Sequence, residues 1–394
     1  MKNKYIILTV KFFSMLLLFG VQKLLTSYLD VSQYGEFNFV LSLINFCSTI
    51  VILGGDRLII NQFSFRNYKF KAEIISNTSQ VAIILTIIIG LLFSFFNLNE
   101  YKLYFIAGLM LNSLLIILSS IYKGNNQVIF GDIILRIIRP LIFIILLLVL
   151  VPNQVDNVLN LYIISLFPFM LFLFYKYPLI KVKFNNREKY IKQGLTMSFF
   201  SLAIIALPSL EIYIFGLLNK NYENGIFSLS IKIATIIPIF LVTINSLLAP
   251  SIGKYFKFNN QDLLQSSIRK NNKIAFPFSI LLCIIIIFLS DHILSFFGAE
   301  FLKFKLVLIL LCIIQLINVL FGPTILVASY CPSRLEIAKK LLISSLVISV
   351  FSYFLIKIYG LYGGVVSHLI SVLIVNFLIH VHMKNYYKLK LSSI

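Results

Sequence analysis

Apolar runs of 16 to 24 residues follow one another along this chain, separated by short segments bearing charge, Gly, Pro or Asn. They fall near 6–27, 37–55, 79–96, 103–121, 133–151, 160–175, 195–218, 226–248, 274–293, 304–326, 341–357 and 361–382. A helix needs roughly 20 apolar residues to cross a bilayer core. Unpaired backbone groups cannot face hydrocarbon, and the runs are continuous where barrel strands would alternate, so each is expected to be helical. The expected fold class is an all-α, polytopic membrane protein of about twelve transmembrane helices.

Composition closes off the alternative of a soluble protein. Of 394 residues, 59% are hydrophobic and 12% charged, with a mean hydropathy of +0.96, whereas soluble domains carry about 25% charged residues. A net charge of +20 would suggest nucleic acid if it formed one patch in a polar domain, but here the basic residues punctuate apolar runs, so no nucleic-acid partner is expected. Cys47, Cys283, Cys312 and Cys331 are widely spaced, without a CxxC or a neighbouring His, and read as small core residues. The first run contains Lys11, Gln22 and Lys23 and lacks an Ala-x-Ala site; it reads as a retained first span.

Cytoplasmic loops collect Lys and Arg, which tests the number and register of the spans. With the N-terminus inside, 26 of the 34 basic residues are assigned to the inner side, 5 to the outer side (Lys102, Lys220, Lys303, Lys305, Lys357) and 3 to the spans (Lys11, Lys23, Lys232). Both termini are therefore expected to be cytoplasmic. A faint repeat adds organisation: Tyr34-Gly35-Glu36-Phe37 opens the second span and Asn224-Gly225-Ile226-Phe227 the eighth. The expected layout is an N-terminal six-helix half, 1–175, a basic linker, 176–194, and a C-terminal half, 195–394, as parallel repeats with the substrate path between them. Pro168, Pro208, Pro238 and Pro323 fall inside spans, where each invites a kink.

Charge near the bilayer centre costs at least ~2.5–3.5 kcal/mol, so ionisable residues there are functional candidates. Glu211 in span seven and Lys232 in span eight sit at similar outer-third depths and could pair. Lys23 in span one and His368 in span twelve lie at comparable depth, and together the four could line a cavity suited to an anionic head group. The structural alternatives are a Glu211–Lys232 pair that only holds helices and a Lys23 that reaches to the outer head groups. Arg57, after Gly54-Gly55-Asp56 at the inner end of span two, could meet a phosphate or act as a positive-inside anchor. Asn45, Asn112, Asn245, Gln315 and Asn318 are expected to face inward, joining helices or lining a wet path. The chain has no phosphate-binding Gly-x-x-x-x-Gly-Lys-Ser/Thr loop, no His-Glu-x-x-His and no Gly-x-Ser-x-Gly. No catalytic residue, metal or cofactor is expected, and transport would draw on an ion gradient, the membrane potential or substrate supply.

Three stretches carry a family resemblance: Leu29-Asp30-Val31-Ser32-Gln33-Tyr34-Gly35-Glu36-Phe37, Gly54-Gly55-Asp56-Arg57 and Tyr359-Gly360-Leu361-Tyr362-Gly363-Gly364. The chain resembles polysaccharide repeat-unit flippases of the O-antigen and capsule (Wzx) kind, within the superfamily that includes multidrug-and-toxin exporters and lipid II flippases. Where many relatives carry Arg late in span one, this chain has Lys23, which keeps the charge and loses the bidentate fork. The resemblance implies a non-enzymatic transporter of undecaprenyl-pyrophosphate-linked oligosaccharide in the bacterial inner membrane. Its implied partners are membrane lipids, with room for a polysaccharide polymerase and chain-length proteins. A multidrug or small-solute antiporter, a membrane sugar polymerase and a structural scaffold remain the alternatives.

Overall fold

The computed structural model describes residues 2–63, 68–93, 101–177, 198, 201–202, 209–258 and 260–392, and every regular element among them is helical. The chain divides into two compact units. One comprises Met1–Gln33 and Phe39–Leu202, the other Tyr34–Asn38 and Ala203–Ile394. Beyond Tyr177 the basic linker of 176–194 lies outside the described residues, as does Pro208.

The first unit contains α1 (Lys2–Tyr28), most of α2 (Val31–Ile52), α3 (Gly55–Phe63), α4 (Tyr68–Phe93), α5 (Lys102–Gly124), α6 (Val128–Ile133), α7 (Arg139–Leu150) and α8 (Val155–Lys176). The start of α2 is encoded locally. Asp30 accepts from the Gln33 amide at 2.8 Å and the Gln33 side chain accepts from the Asp30 amide at 3.2 Å, a reciprocal cap that satisfies two otherwise orphaned donors. The central helix is α5, which packs on α3, α4, α6 and α8 and buries Phe105, Leu109, Leu115 and Ile117. Asn112 of α5 donates to Ser48 of α2 at 3.0 Å and to Asn45 at 3.3 Å, so these two expected inward-facing amides join helices.

Between α6 and α7 the helix widens into a π-turn over Ile134–Ile138. Pro140 explains it. Proline has no N–H for the Arg136 carbonyl, and its ring would strike that carbonyl in a regular helix. The ladder slips by one residue instead, with the Arg139 N–H bonding the Ile134 carbonyl. Val128 to Leu150 thereby remains one continuous 23-residue span.

The second unit contains α9 (Leu210–Leu217), α10 (Asn221–Ala234), α11 (Ile239–Lys257), α12 (Gln261–Phe288), α13 (Ser290–Phe297), α14 (Ala299–Leu302), α15 (Lys305–Leu320), α16 (Thr324–Tyr330) and α17 (Arg334–Tyr387). Two of the expected proline kinks are complete breaks. Around Pro238, Asn221–Ala234 and Ile239–Asn245 meet at 59°, and around Pro323, Lys305–Leu320 and Thr324–Tyr330 meet at 44°. Pro168 and Pro277, by contrast, sit inside unbroken helices.

The 54-residue α17 is far longer than a bilayer requires. It reverses at Gly360, whose φ of 55° and ψ of −129° are open to glycine and strained for other residues. Its arms run side by side: Ser352 bonds Ser367 near the turn, and at the open end Ser333 meets Tyr387 at 2.9 Å. Lys220 secures the turn by donating to the Ile356 carbonyl at 3.0 Å. After the helix, residues 388–392 fold back on α12. Gln265 brackets Lys390 with two backbone hydrogen bonds of 2.8 and 2.7 Å, and Asn272 donates to the Leu391 carbonyl at 2.8 Å. Leu389 and Leu391 are buried, and the Leu391 carbonyl fills the space a side chain at Gly322 would need.

Eight helices are long and apolar enough to cross a membrane, or ten if each bent pair is one span. Apolar side chains such as Ile145, Val149, Ile284, Phe288, Ile343 and Phe351 point outward, as lipid-facing surfaces do. The chain is a multi-pass membrane protein.

Candidate functional site

The second unit gathers its buried polar groups around Glu211, which opens α9 and is fully enclosed. One carboxylate oxygen accepts from Ser367 at 3.1 Å and Ser371 at 3.3 Å, and the other faces His368 Nδ1 at 3.4 Å. Ser367, His368 and Ser371 lie one turn apart on the second arm of α17, so a single helix face supplies all three. Phe227 of α10 packs edge-on against His368 and also against Phe215 of α9, closing the site with apolar surface.

From His368 a chain of side chains continues. His368 Nε2 lies 3.4 Å from the Gln315 amide, Asn318 donates to Gln315 at 3.5 Å, Asn376 donates to Asn318 at 2.9 Å, and Thr324 donates to Asn376. The Gln315 amide nitrogen facing Nε2 fits a neutral ring whose proton sits on Nδ1 and points at Glu211. Protonating that ring requires Gln315 to present its oxygen instead. The route crosses α9, α17, α15 and α16 and passes the break at Pro323. Gln315 and Asn318 face inward and join helices, one of the two outcomes expected of them.

Lys232, near the end of α10, takes other partners. Its ammonium donates to Asn38 Oδ1 and lies 3.4 Å from the Tyr34 hydroxyl. Glu211 finds its partners on α17, so the pair expected between Glu211 and Lys232 is replaced by two separate polar groups. The reason is rotational: depth along a span can be read from residue counts, but the hairpin of α17 brings Ser367 and His368 to the acid. Tyr34 is fully buried against Phe301. Asn224 donates to the Gly35 carbonyl at 3.0 Å, and a Cβ on Gly35 would lie 2.6 Å from the Gly225 nitrogen. The two glycine turns seen as a sequence repeat therefore pack directly on one another, at a separation only glycine permits.

In the first unit, Lys23 is half-buried late in α1, and its carbonyl accepts from Ser27 at 2.8 Å. Arg57 is half-buried in the first turn of α3, just after the left-handed residues Leu53 and Gly54. Among the five sequence candidates, the structure brings Glu211 and His368 into contact. Sequence reasoning missed Ser367, Ser371, Tyr34 and Asn38. It also assigned Arg136 and Arg139 to the inner loops, whereas both lie inside the continuous span from Val128 to Leu150. The signal was available: two arginines embedded in an apolar run that continues on both sides. Among the described residues, no group of three or more His, Cys, Asp or Glu gathers to hold a metal.

No protein-family profile matches the chain, and no curated protein matches it. Solved structures do. A multidrug-resistance MATE family transporter of the MOP superfamily, in an inward-facing conformation, superposes with a TM-score of 0.67 at 13% identity, covering 97% of this chain and 98% of that one. A MOP superfamily transporter from Pyrococcus furiosus, described as having a binding pocket of reverse polarity, gives 0.62 at 14% identity over 98% and 96%. The lipid II flippase MurJ, in an inward closed conformation, gives 0.57 at 18% identity over 96% and 87%. The chain has the fold that these MATE and MurJ transporters share, over nearly its whole length.

Proposed function

We propose that this protein is a flippase that carries undecaprenyl-pyrophosphate-linked oligosaccharide repeat units from the cytoplasmic to the outer leaflet of a bacterial inner membrane, for O-antigen or capsule synthesis. The observation that carries this reading is the sign of the charge placed within a transporter fold. Lys11, Lys23, Arg136, Arg139 and Lys232 lie inside membrane helices, against Glu211 and Asp132. Such a balance suits an anionic head group and opposes a cationic drug.

The physics of the task agrees. Each unpaired sugar hydroxyl costs roughly 4–8 kcal/mol in an alkane-like medium, so the head group needs a polar path while its lipid tail stays in the bilayer. With the cell interior negative, outward movement of the pyrophosphate is favoured by about 2.3 kcal/mol per charge per 100 mV. The Glu211–His368 pair is the group able to bind and release a cation or proton as the carrier resets. No enzymatic step is part of this reading. The rival, a multidrug or small-solute antiporter, draws on the 0.67 TM-score with the MATE transporter. A sugar polymerase would need catalytic residues on an extended outer loop.

The test is deletion of the gene in its host, followed by extraction of lipid-linked sugars and measurement of the face they occupy. Accumulation of undecaprenyl-linked units on the cytoplasmic face, with loss of surface polysaccharide, is the expected result. Unchanged glycolipid and surface sugar would exclude the flippase reading and leave the antiporter.

A further inference from the structure

We propose that Lys11, Arg136 and Arg139 form a receptor for a lipid-borne phosphate or diphosphate group in the first unit, at the end that carries Lys123, Asp132 and Lys176. The proposal deepens the flippase reading and rests on it for the diphosphate source.

Arg136 and Arg139 lie about 12 and 16 Å along the span that begins at Val128, at about 1.5 Å per residue. Arg139 is thus mid-helix, where a charged side chain is expensive and marks function by default. Its guanidinium lies 4.6 Å over the ring of buried Tyr162, which fixes one face of the planar group and leaves its N–H edge to bond outward. Arg136 is exposed, and it belongs to the π-turn imposed by Pro140, a helix distortion frequent at functional sites. Lys11 of α1 is close enough to feel the charges of both Arg136 and Asp132. Contacts of α1 with α6, the π-turn and α7 bring these groups together.

The local balance is strongly uneven. Lys11, Lys123, Arg136 and Arg139 face one carboxylate, Asp132, which Lys123 already holds at 2.8 Å. Concentrating like charge in a low-dielectric region is unfavourable unless an anion completes it. Arginine forks match phosphate oxygens in pairs, which a lysine point charge does not. At the end of α8, Lys176 lies over Tyr122 at 5.2 Å and Phe172 at 5.7 Å, the amphipathic rim expected at head-group level. A diphosphate on a lipid that enters from this leaflet fits between rim and arginines. A bilayer phospholipid offers the same chemistry with one phosphate.

The test uses the full chain in nanodiscs of phosphatidylcholine, with binding read by native mass spectrometry. The probes are undecaprenyl diphosphate, phosphatidylglycerol and neutral undecaprenol. The variant R136Q/R139Q is expected to bind undecaprenyl diphosphate at least about tenfold more weakly, as loss of charge-assisted hydrogen bonds predicts, with undecaprenol unchanged. R136K/R139K keeps the charge and is expected to lose the preference for diphosphate over phosphatidylglycerol. Should the glutamine variant fail to fold, that loss of preference carries the test, and an unchanged preference overturns the proposal. If the wild type binds undecaprenyl diphosphate and both arginine variants match it, the site is overturned while the flippase reading survives. If the wild type ignores undecaprenyl diphosphate and R136Q/R139Q loses phosphatidylglycerol, the receptor stands with a bilayer lipid as its source and the flippase reading falls.

Discussion

The two units solve the problem of charge in a membrane in opposite ways. In the second, Glu211 is fully enclosed and both carboxylate oxygens are met by side chains of one helix hairpin. In the first, Arg136 is exposed, Arg139 is stacked and half-buried, and the nearest acid is already committed to Lys123. An enclosed, fully partnered charge is suited to sensing a proton or holding helices in register. A cluster with surplus charge and open valence is suited to a ligand. The contrast divides the labour of a carrier between a part that responds and a part that receives.

Replacing Glu211 strikes at this contrast most directly. Glu211→Ala strands Ser367, His368 and Ser371 in an apolar surround. We expect loss of stability of about 3 kcal/mol, seen as a lower melting temperature in detergent, and loss of transport in a lipid-linked sugar sidedness assay. Glu211→Gln keeps the shape and is expected to melt near the wild type yet transport at least about tenfold more slowly; wild-type transport by this variant would show that ionisation of the acid is not used. Next in size is Gly35→Val. Its Cβ would collide with the backbone of Asn221 and Gly225, and overpacking of this kind costs about 1–3 kcal/mol in thermal unfolding.

Salt separates the two regions more gently. Raising ionic strength from about 0.1 M to about 1 M shortens the screening length from about 10 to about 3 Å. Diphosphate binding at the exposed arginines should fall several-fold in a titration, while the melting difference between Glu211→Gln and the wild type stays constant. The smallest effect is expected from Lys123→Gln. It breaks a pair whose side chains are each 23% exposed, worth under about 1 kcal/mol, and should change the melting temperature by a degree or two at most.

Much of the architecture was legible because hydrocarbon leaves the backbone few choices. Apolar length located the spans, Asp30 and Gln33 announced the start of α2, and Pro238 and Pro323 marked the breaks. What stayed hidden was rotation about each helix axis. Glu211 and Lys232 share a depth, and that alone suggested a pair. Their true partners depend on the reversal at Gly360, which brings Ser367, His368 and Ser371 round to the acid. The polar spacing of those three in an apolar run was visible and pointed to a helix face with a task. Arg136 and Arg139 were obscured by a different cause: the tendency of basic residues to mark inner loops drew them out of the span that their neighbours defined.

The folded-back segment after α17 has a practical consequence. The Leu391 carbonyl and the Asn272 amide both press on Gly322, at the bend between α15 and α16. An affinity handle or fluorophore attached just beyond this segment would pull on that bend instead of hanging free. Spectroscopic distances measured from such an attachment would report how the bend moves and would themselves disturb it, so labels intended as passive rulers belong elsewhere on the molecule.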